Sequence, residues 1–129
     1  MADVGLPAQV GETFSRRLCF DTASIRAFAL SVDDRNPLHH DEAVARAAGY
    51  PGLIASGTQL GGIVMAMTAT HFSQPTAEGH ERSGLGLAFE IRFRAVVLAG
   101  EEMSARWTVT ALERKDRLDG WIVTLEGDA

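Results

Sequence analysis

A chain of 129 residues makes one domain, and 46% hydrophobic with 22% charged residues is ordinary globular usage that excludes a disordered, collagen-like or low-complexity polypeptide. Twelve Lys and Arg against seventeen Asp and Glu leave a net charge of −5, so no overall attraction for phosphate backbones exists and nucleic acid is not an expected partner. The single cysteine, Cys19, excludes an intramolecular disulfide framework and a Cys-based zinc site, and sparse cysteine usage fits a cytoplasmic protein.

Hydrophobic period divides the chain. The opening Met1-Ala2-Asp3-Val4-Gly5 has no basic stretch leading into an apolar run, so no secretory signal is expected. Thr13 to Phe20 reads as a first strand, with Phe14, Leu18 and Phe20 among polar neighbours. Asp21 or Thr22 caps a short helix whose buried stripe is Ile25, Phe28 and Ala29. Ser31 to His40 is a polar loop, because the residue before Pro37 is pushed out of the helical region. Asp41 caps a second short helix, Glu42 to Ala48, with Gly49 as its stop. After a turn at Tyr50-Pro51-Gly52, a long helix is expected from Ser56 or Gly57 to near His71.

The apolar run Leu53 to Thr70 is long enough to span a bilayer, but Ser56, Thr58, Gln59, Thr68 and three glycines make it a buried core helix instead, and no membrane partner is expected. Leu60, Ile63, Val64, Met65, Met67 and Ala69 leave it almost no polar face, which predicts a helix surrounded by protein. Gly61 and Gly62 then serve close packing on a sheet or face a substrate. Ser73 to Ser83 is a polar loop. Phe89, Ile91, Phe93 and Ala95 alternate with charged residues as a half-buried strand. Met103, Ala105, Trp107, Val109 and Ala111 alternate likewise, Asp119-Gly120 marks a hairpin, and Trp121 to Glu126 is the last strand. A curved antiparallel sheet wrapped round one apolar helix, an α+β arrangement, accounts for this order.

Two segments carry chemistry. In Asp34-Arg35-Asn36-Pro37-Leu38-His39-His40-Asp41, the turn forced by Asn36-Pro37 brings Asp34 and His39 toward one point, where an imidazole and a carboxylate can hold and activate a water. The plainer alternative is a local Asx turn at Asp34 with His39 on the surface. In Ile54-Ala55-Ser56-Gly57-Thr58, a glycine opens the long helix, whose first N–H groups are unpaired and partly positive; a carbonyl can approach them closely and an oxyanion would be stabilised there. The alternative is a Ser56 N-cap followed by a packing glycine.

Together these segments resemble the MaoC-like dehydratases and (R)-specific enoyl-CoA hydratases, proteins of hot-dog fold. The family loop, Asp-x-Asn-Pro-aliphatic-His-x-Asp, is matched by residues 34–41 without a departure, followed by a short Ala-rich helix and the Gly-led helix at Ile54-Ala55-Ser56-Gly57. Phe93-Arg94-Ala95-Val96-Val97-Leu98-Ala99-Gly100-Glu101 and Val10-Gly11-Glu12 match more weakly, and the likeness covers roughly residues 10 to 126. The resemblance implies one domain over residues 1–129 with Asp34 and His39 as the catalytic pair and Gly57 as the carbonyl-polarising N–H. Asn36 organises the loop with a possible polar contact, Ser56 and Thr58 are expected beside the substrate, and Gln59 either faces the pocket one turn in or is a satisfied core amide. It further implies reversible hydration of a trans-2-enoyl thioester to the (R)-3-hydroxyacyl thioester in a homodimer, with neither a metal nor a redox cofactor.

There are departures. Ser56 stands where these hydratases often have histidine, Met65 where some carry a supporting serine, and Val96 where the family has proline. A five-stranded sheet calls for one more strand after Trp121–Glu126; the sheet is reordered, a partner covers the gap, or the chain is a shortened one. Two other readings stay open: a hot-dog thioesterase, against which Leu53 to Thr70 offers no Asp or Glu, and a non-catalytic acyl-thioester-binding or dimer-scaffold domain. His40 is expected on the surface, His71 at the helix end and His80 in a loop. Arg16, Arg17, Arg82 and Arg94 are expected to be solvated, with coenzyme A phosphates as the alternative partner.

Overall fold

The structure, a computed structural model, describes residues 5–129; Met1 to Val4, within the opening segment where no secretory signal is expected, lie outside the described residues. The elements are β1 (Thr13–Cys19), α1 (Thr22–Ser31), a 3₁₀ turn (Pro37–His39), α2 (Glu42–Ala47), α3 (Gly57–Phe72), β2 (Glu102–Lys115), a second 3₁₀ turn (Asp116–Leu118) and β3 (Gly120–Asp128). The three strands form one sheet in the order β1-β2-β3. Two compact units share the chain: one of Arg17–Met65 with Ala88–Met103, the other of the residues up to Arg16 with Ala66–Leu87 and Ser104–Ala129.

In the first unit, the Asp21 carboxylate accepts the Ser24 N–H at 2.7 Å and starts α1, and Ile25 and Ala29 are fully buried on its inner stripe. The end of α1 sets the path of the loop after it. Asp33 N–H donates to Leu30 O, Asp34 N–H donates to Ala29 O, and Asp33 sits in the left-handed region at φ 57°, a Schellman stop with aspartate where glycine is usual. Asp41 then caps α2 through the N–H groups of Ala43 and Val44. A short antiparallel ladder ties Leu53–Ala55 to Val97–Ala99, with Ile54 bridged to Leu98, Ala55 N–H donating to Val97 O and Ala99 N–H to Leu53 O.

In the second unit, β2 and β3 pair antiparallel from Arg106↔Asp128 to Lys115↔Gly120. The hairpin foreseen at Asp119-Gly120 closes with Asp119 in the left-handed region at φ 46°. Val109 pairs with Leu125 but Ala111 with Thr124, so Thr110 is the extra residue of a bulge. The bulge moves the inward face by one residue: Val109 is fully buried, whereas Ala111 is exposed and Leu112 turns inward, contrary to simple alternation.

Two further expectations fail. Residues 89–95 form no strand; Phe89 and Phe93 are 41% and 53% exposed, because the alternating pattern selects faces but supplies no hydrogen-bonded neighbour. Helix α3 is not enclosed on all sides either. Leu60, Gly61, Val64 and Met67 are buried, while Gly62, Ala66 and Ala69 are exposed small residues that cost little to leave in water.

Candidate active site

The candidate site lies wholly in the first unit, where residues 54–57 gather its parts. Ile54 N–H donates to Leu38 O at 3.2 Å, and Ile54 O accepts from Nδ1 of the buried His39 at 2.7 Å. A carbonyl only accepts, so Nδ1 carries the proton and the lone pair of the neutral ring is on Nε2. That nitrogen stands 3.3 Å from Asp34 Oδ2. The Ser56 hydroxyl donates to the same oxygen at 3.1 Å, and the Asn36 N–H donates to Asp34 Oδ1 at 3.1 Å. The Asx turn and the pairing with His39 therefore occur together, one carboxylate oxygen serving each.

Asp34 is held below the ordinary carboxylate range. The Asn36 N–H is the largest cause; partial burial opposes it, and the Ser56 hydroxyl and the nearby histidines reinforce it. An ionised Oδ2 facing the Nε2 lone pair leaves two acceptors pointed at one spot, which suits a molecule with two O–H donors. A shallow cleft of about 390 Å³, lined by Leu30, Asp33, Asp34, Arg35 and His40, opens beside Asp34.

The other residues selected from sequence take different places. Asn36 is exposed; its side-chain oxygen accepts the Leu38 N–H at 3.1 Å and starts the 3₁₀ turn that carries His39 inward. Gly57 is the first residue of α3, and the Phe93 ring lies against it. Thr58 is exposed, and no described contact joins it to Asp34 or His39. Gln59 is buried; its Nε2 donates to Ser24 Oγ at 2.8 Å, and its Oε1 meets no donor among the described residues. The Ser56 hydroxyl donates its hydrogen bond to Asp34.

Sequence reasoning missed three participants. His40 is not on the surface: it is half-buried, and its Nε2 lies 2.6 Å from Asp34 O, closing the loop on itself. Ile54 acts through its carbonyl, which no side-chain pattern reveals. Phe93 reaches Gly57 from a distant stretch of sequence, and the motif that contains it gave no sign of the contact.

A larger cleft, about 790 Å³, lies in the second unit and holds another histidine–carboxylate pair, His71 Nε2 and Glu12 Oε2 at 2.6 Å. Here the carboxylate is already occupied. Arg82 donates to Glu12 Oε2, Gln9 N–H donates to Oε1, and the His71 ring stacks on Phe14 at 3.9 Å. Burial pushes Glu12 up, but hydrogen bonds from His71, Gln9 and Arg82 and the Arg82 charge outweigh it and hold the group below its usual value. Arg82 is not solvated as expected: its side chain is 6% exposed and also donates to the carbonyls of Pro7, His71 and Gln74. This cluster is a clamp. Arg16, Arg17 and Arg94 are exposed. Among the described residues, no group of three or more His, Cys, Asp or Glu is placed to hold a metal ion, and no helix is long and apolar enough to cross a membrane.

Residues 7–126 match the MaoC-like domain family, and the chain belongs to it. The MaoC-like dehydratase of Rhodospirillum rubrum is 32% identical, with a TM-score of 0.67 over 94% of this chain and 80% of that one. The (R)-hydratase of A. caviae involved in PHA biosynthesis is 25% identical, with a TM-score of 0.66 over 92% of each chain. The fold is the hot-dog fold, of the α+β class. A UPF0336 protein of Saccharopolyspora erythraea is 56% identical over 34 residues, a match that spans 26% of this chain and only 22% of that relative.

Proposed function

We propose that the protein is a hydratase or dehydratase that interconverts trans-2-enoyl thioesters, with coenzyme A as the carrier, and (R)-3-hydroxyacyl thioesters. The observation that carries this reading is the convergence of Asp34 Oδ2 and His39 Nε2, 3.3 Å apart, beside the Gly57 end of α3. In the hydration direction, a water donates one hydrogen bond to Asp34 and one to Nε2. As the water oxygen bonds to C3, Nε2 takes its proton, and the C2–C3 electron pair moves toward the thioester oxygen. The Gly57 N–H, unpaired within the helix, meets that developing charge. The proton held on His39 then passes to C2. Every atom added comes from one water, so the reaction needs no redox partner. Membership of the family and the likeness to an (R)-hydratase support the reading.

The test follows loss of enoyl absorbance on incubation with crotonyl-CoA. Wild type consumes the enoyl signal with the thioester intact, and Asp34→Asn or His39→Ala lowers kcat/KM at least 100-fold, as loss of acid–base groups does. One observation favours a second reading: the Asp34 carboxylate touches Ser56 at the entrance of the helix, where a hot-dog thioesterase needs a carboxylate. Release of free thiol in the same assay selects that reading.

A further inference from the structure

The Phe93 ring sets a boundary that the catalytic pair does not. A Cβ built on Gly57 would lie 2.8 Å from Phe93 Cζ, and 3.0 and 3.1 Å from its two Cε atoms. The ring tip therefore rests on the Gly57 backbone, and a side chain at residue 57 would displace it. The placement has a cause: the ladder joining Leu53–Ala55 to Val97–Ala99 runs these two segments antiparallel past one another, so that the stretch before Val97 passes the start of α3. Phe89 extends the wall one turn further along the helix, its Cε1 3.7 Å from the Cβ position of Gly61. Gly57 adjoins Ser56, whose hydroxyl holds Asp34, so the ring stands at the reacting end of the site. It is also 53% exposed, an apolar surface open to contact.

From this geometry we infer that Phe93 is a specificity-determining residue that confines the site to thioesters unbranched at C2. The inference rests on the proposed hydratase function, in which the thioester carbonyl sits at the Gly57 N–H. The atoms nearest that carbonyl are the sulfur and C2. The apolar wall formed by Phe93 and Phe89 suits the acyl side, and the amide-bearing pantetheine arm leaves on the other. A methyl group on C2 then meets the ring.

The experiment compares crotonyl-CoA with 2-methylcrotonyl-CoA in wild type, Phe93→Leu and Phe93→Ala. Wild type prefers the linear substrate, and shortening residue 93 raises the branched-to-linear ratio of kcat/KM about 10- to 200-fold, the range that one methyl group commands in an apolar pocket. An unchanged ratio overturns the inference even if both substrates turn over. Should Phe93→Ala not fold, Phe93→Leu carries the comparison. If wild type hydrates neither substrate, the hydratase reading fails and binding decides the inference: calorimetry with butanoyl-CoA and 2-methylpropanoyl-CoA. A linear preference that shrinks in Phe93→Leu upholds it; the same preference in both proteins, or no binding of either, overturns it.

Discussion

Two donors converge on the Asp34 carboxylate, the Asn36 N–H at Oδ1 and the Ser56 hydroxyl at Oδ2, and both favour its ionised form. Its pKa is lowered on folding, so what these bonds contribute is present above the unfolded value and is lost as pH falls through the folded one. The acid limb of stability that Asp34 contributes, read as the urea-unfolding midpoint across pH, is therefore expected to lie between the ordinary carboxylate value and the lowered folded one. Ser56→Ala removes one donor and moves that limb to higher pH. It also lowers kcat/KM about tenfold, taking a hydrogen bond to a charged group at its lower value of ~1.5 kcal/mol because the Asp34 side chain is 31% exposed. A pH series that shows the limb unmoved removes Ser56 from the support of Asp34. The pairing of Asp34 with His39 was legible because Asn36-Pro37 compels a turn, and a turn is a local property. The partners of Ser56 and His40 were not, because serine and histidine side chains satisfy many neighbours and sequence does not choose among them.

At the scale of elements, Arg82 is the clearest single dependence. Its guanidinium holds the carbonyls of Pro7, His71 and Gln74 as well as Glu12, binding the end of α3 to the approach to β1 within one unit. Arg82→Ala leaves these acceptors and the half-buried carboxylate without a donor, and is expected to cost about 2–4 kcal/mol in urea unfolding, read as a lower midpoint at unchanged slope. Arg82→Lys recovers little of it, since an ammonium cannot reproduce the planar fork. Glu12 has its pKa depressed by this environment, so its part of the stability is present at neutral pH and disappears as pH falls through its folded value. The gap between wild type and Arg82→Ala accordingly narrows in acid. The helices, β1 and the hairpin were legible from caps, periodicity and turn residues, which act over a few positions. The clamp was not, because a lone arginine in a polar loop has the same sequence signature whether solvated or buried. The absent strand at 89–95 shows the converse: alternation was present, but a strand also requires a neighbour.

For the molecule as a whole, the apolar surface left in water bears on assembly. In the second unit, Leu85 and Leu87 are 91% and 72% exposed, on a stretch with no regular structure. Side chains of this size contribute ~1.5–3 kcal/mol each when fully buried, so a second copy that covers both leucines offsets part of the entropy of association. In the first unit, the backbone of 89–95 offers hydrogen-bonding groups that no ladder among the described residues uses. The expected state is a homodimer at micromolar concentration. Each copy carries −5, so two copies repel at long range, and raising the salt from 0.01 to 0.15 M shortens the screening length from about 30 to about 8 Å and strengthens the dimer. Sedimentation equilibrium at the two salt concentrations measures this directly. Leu85→Glu with Leu87→Glu adds charge at the two most exposed leucines and is expected to shift the equilibrium to monomer. If the doubly substituted protein sediments as wild type does, the dimer forms through another face and the exposed leucines play no part in it.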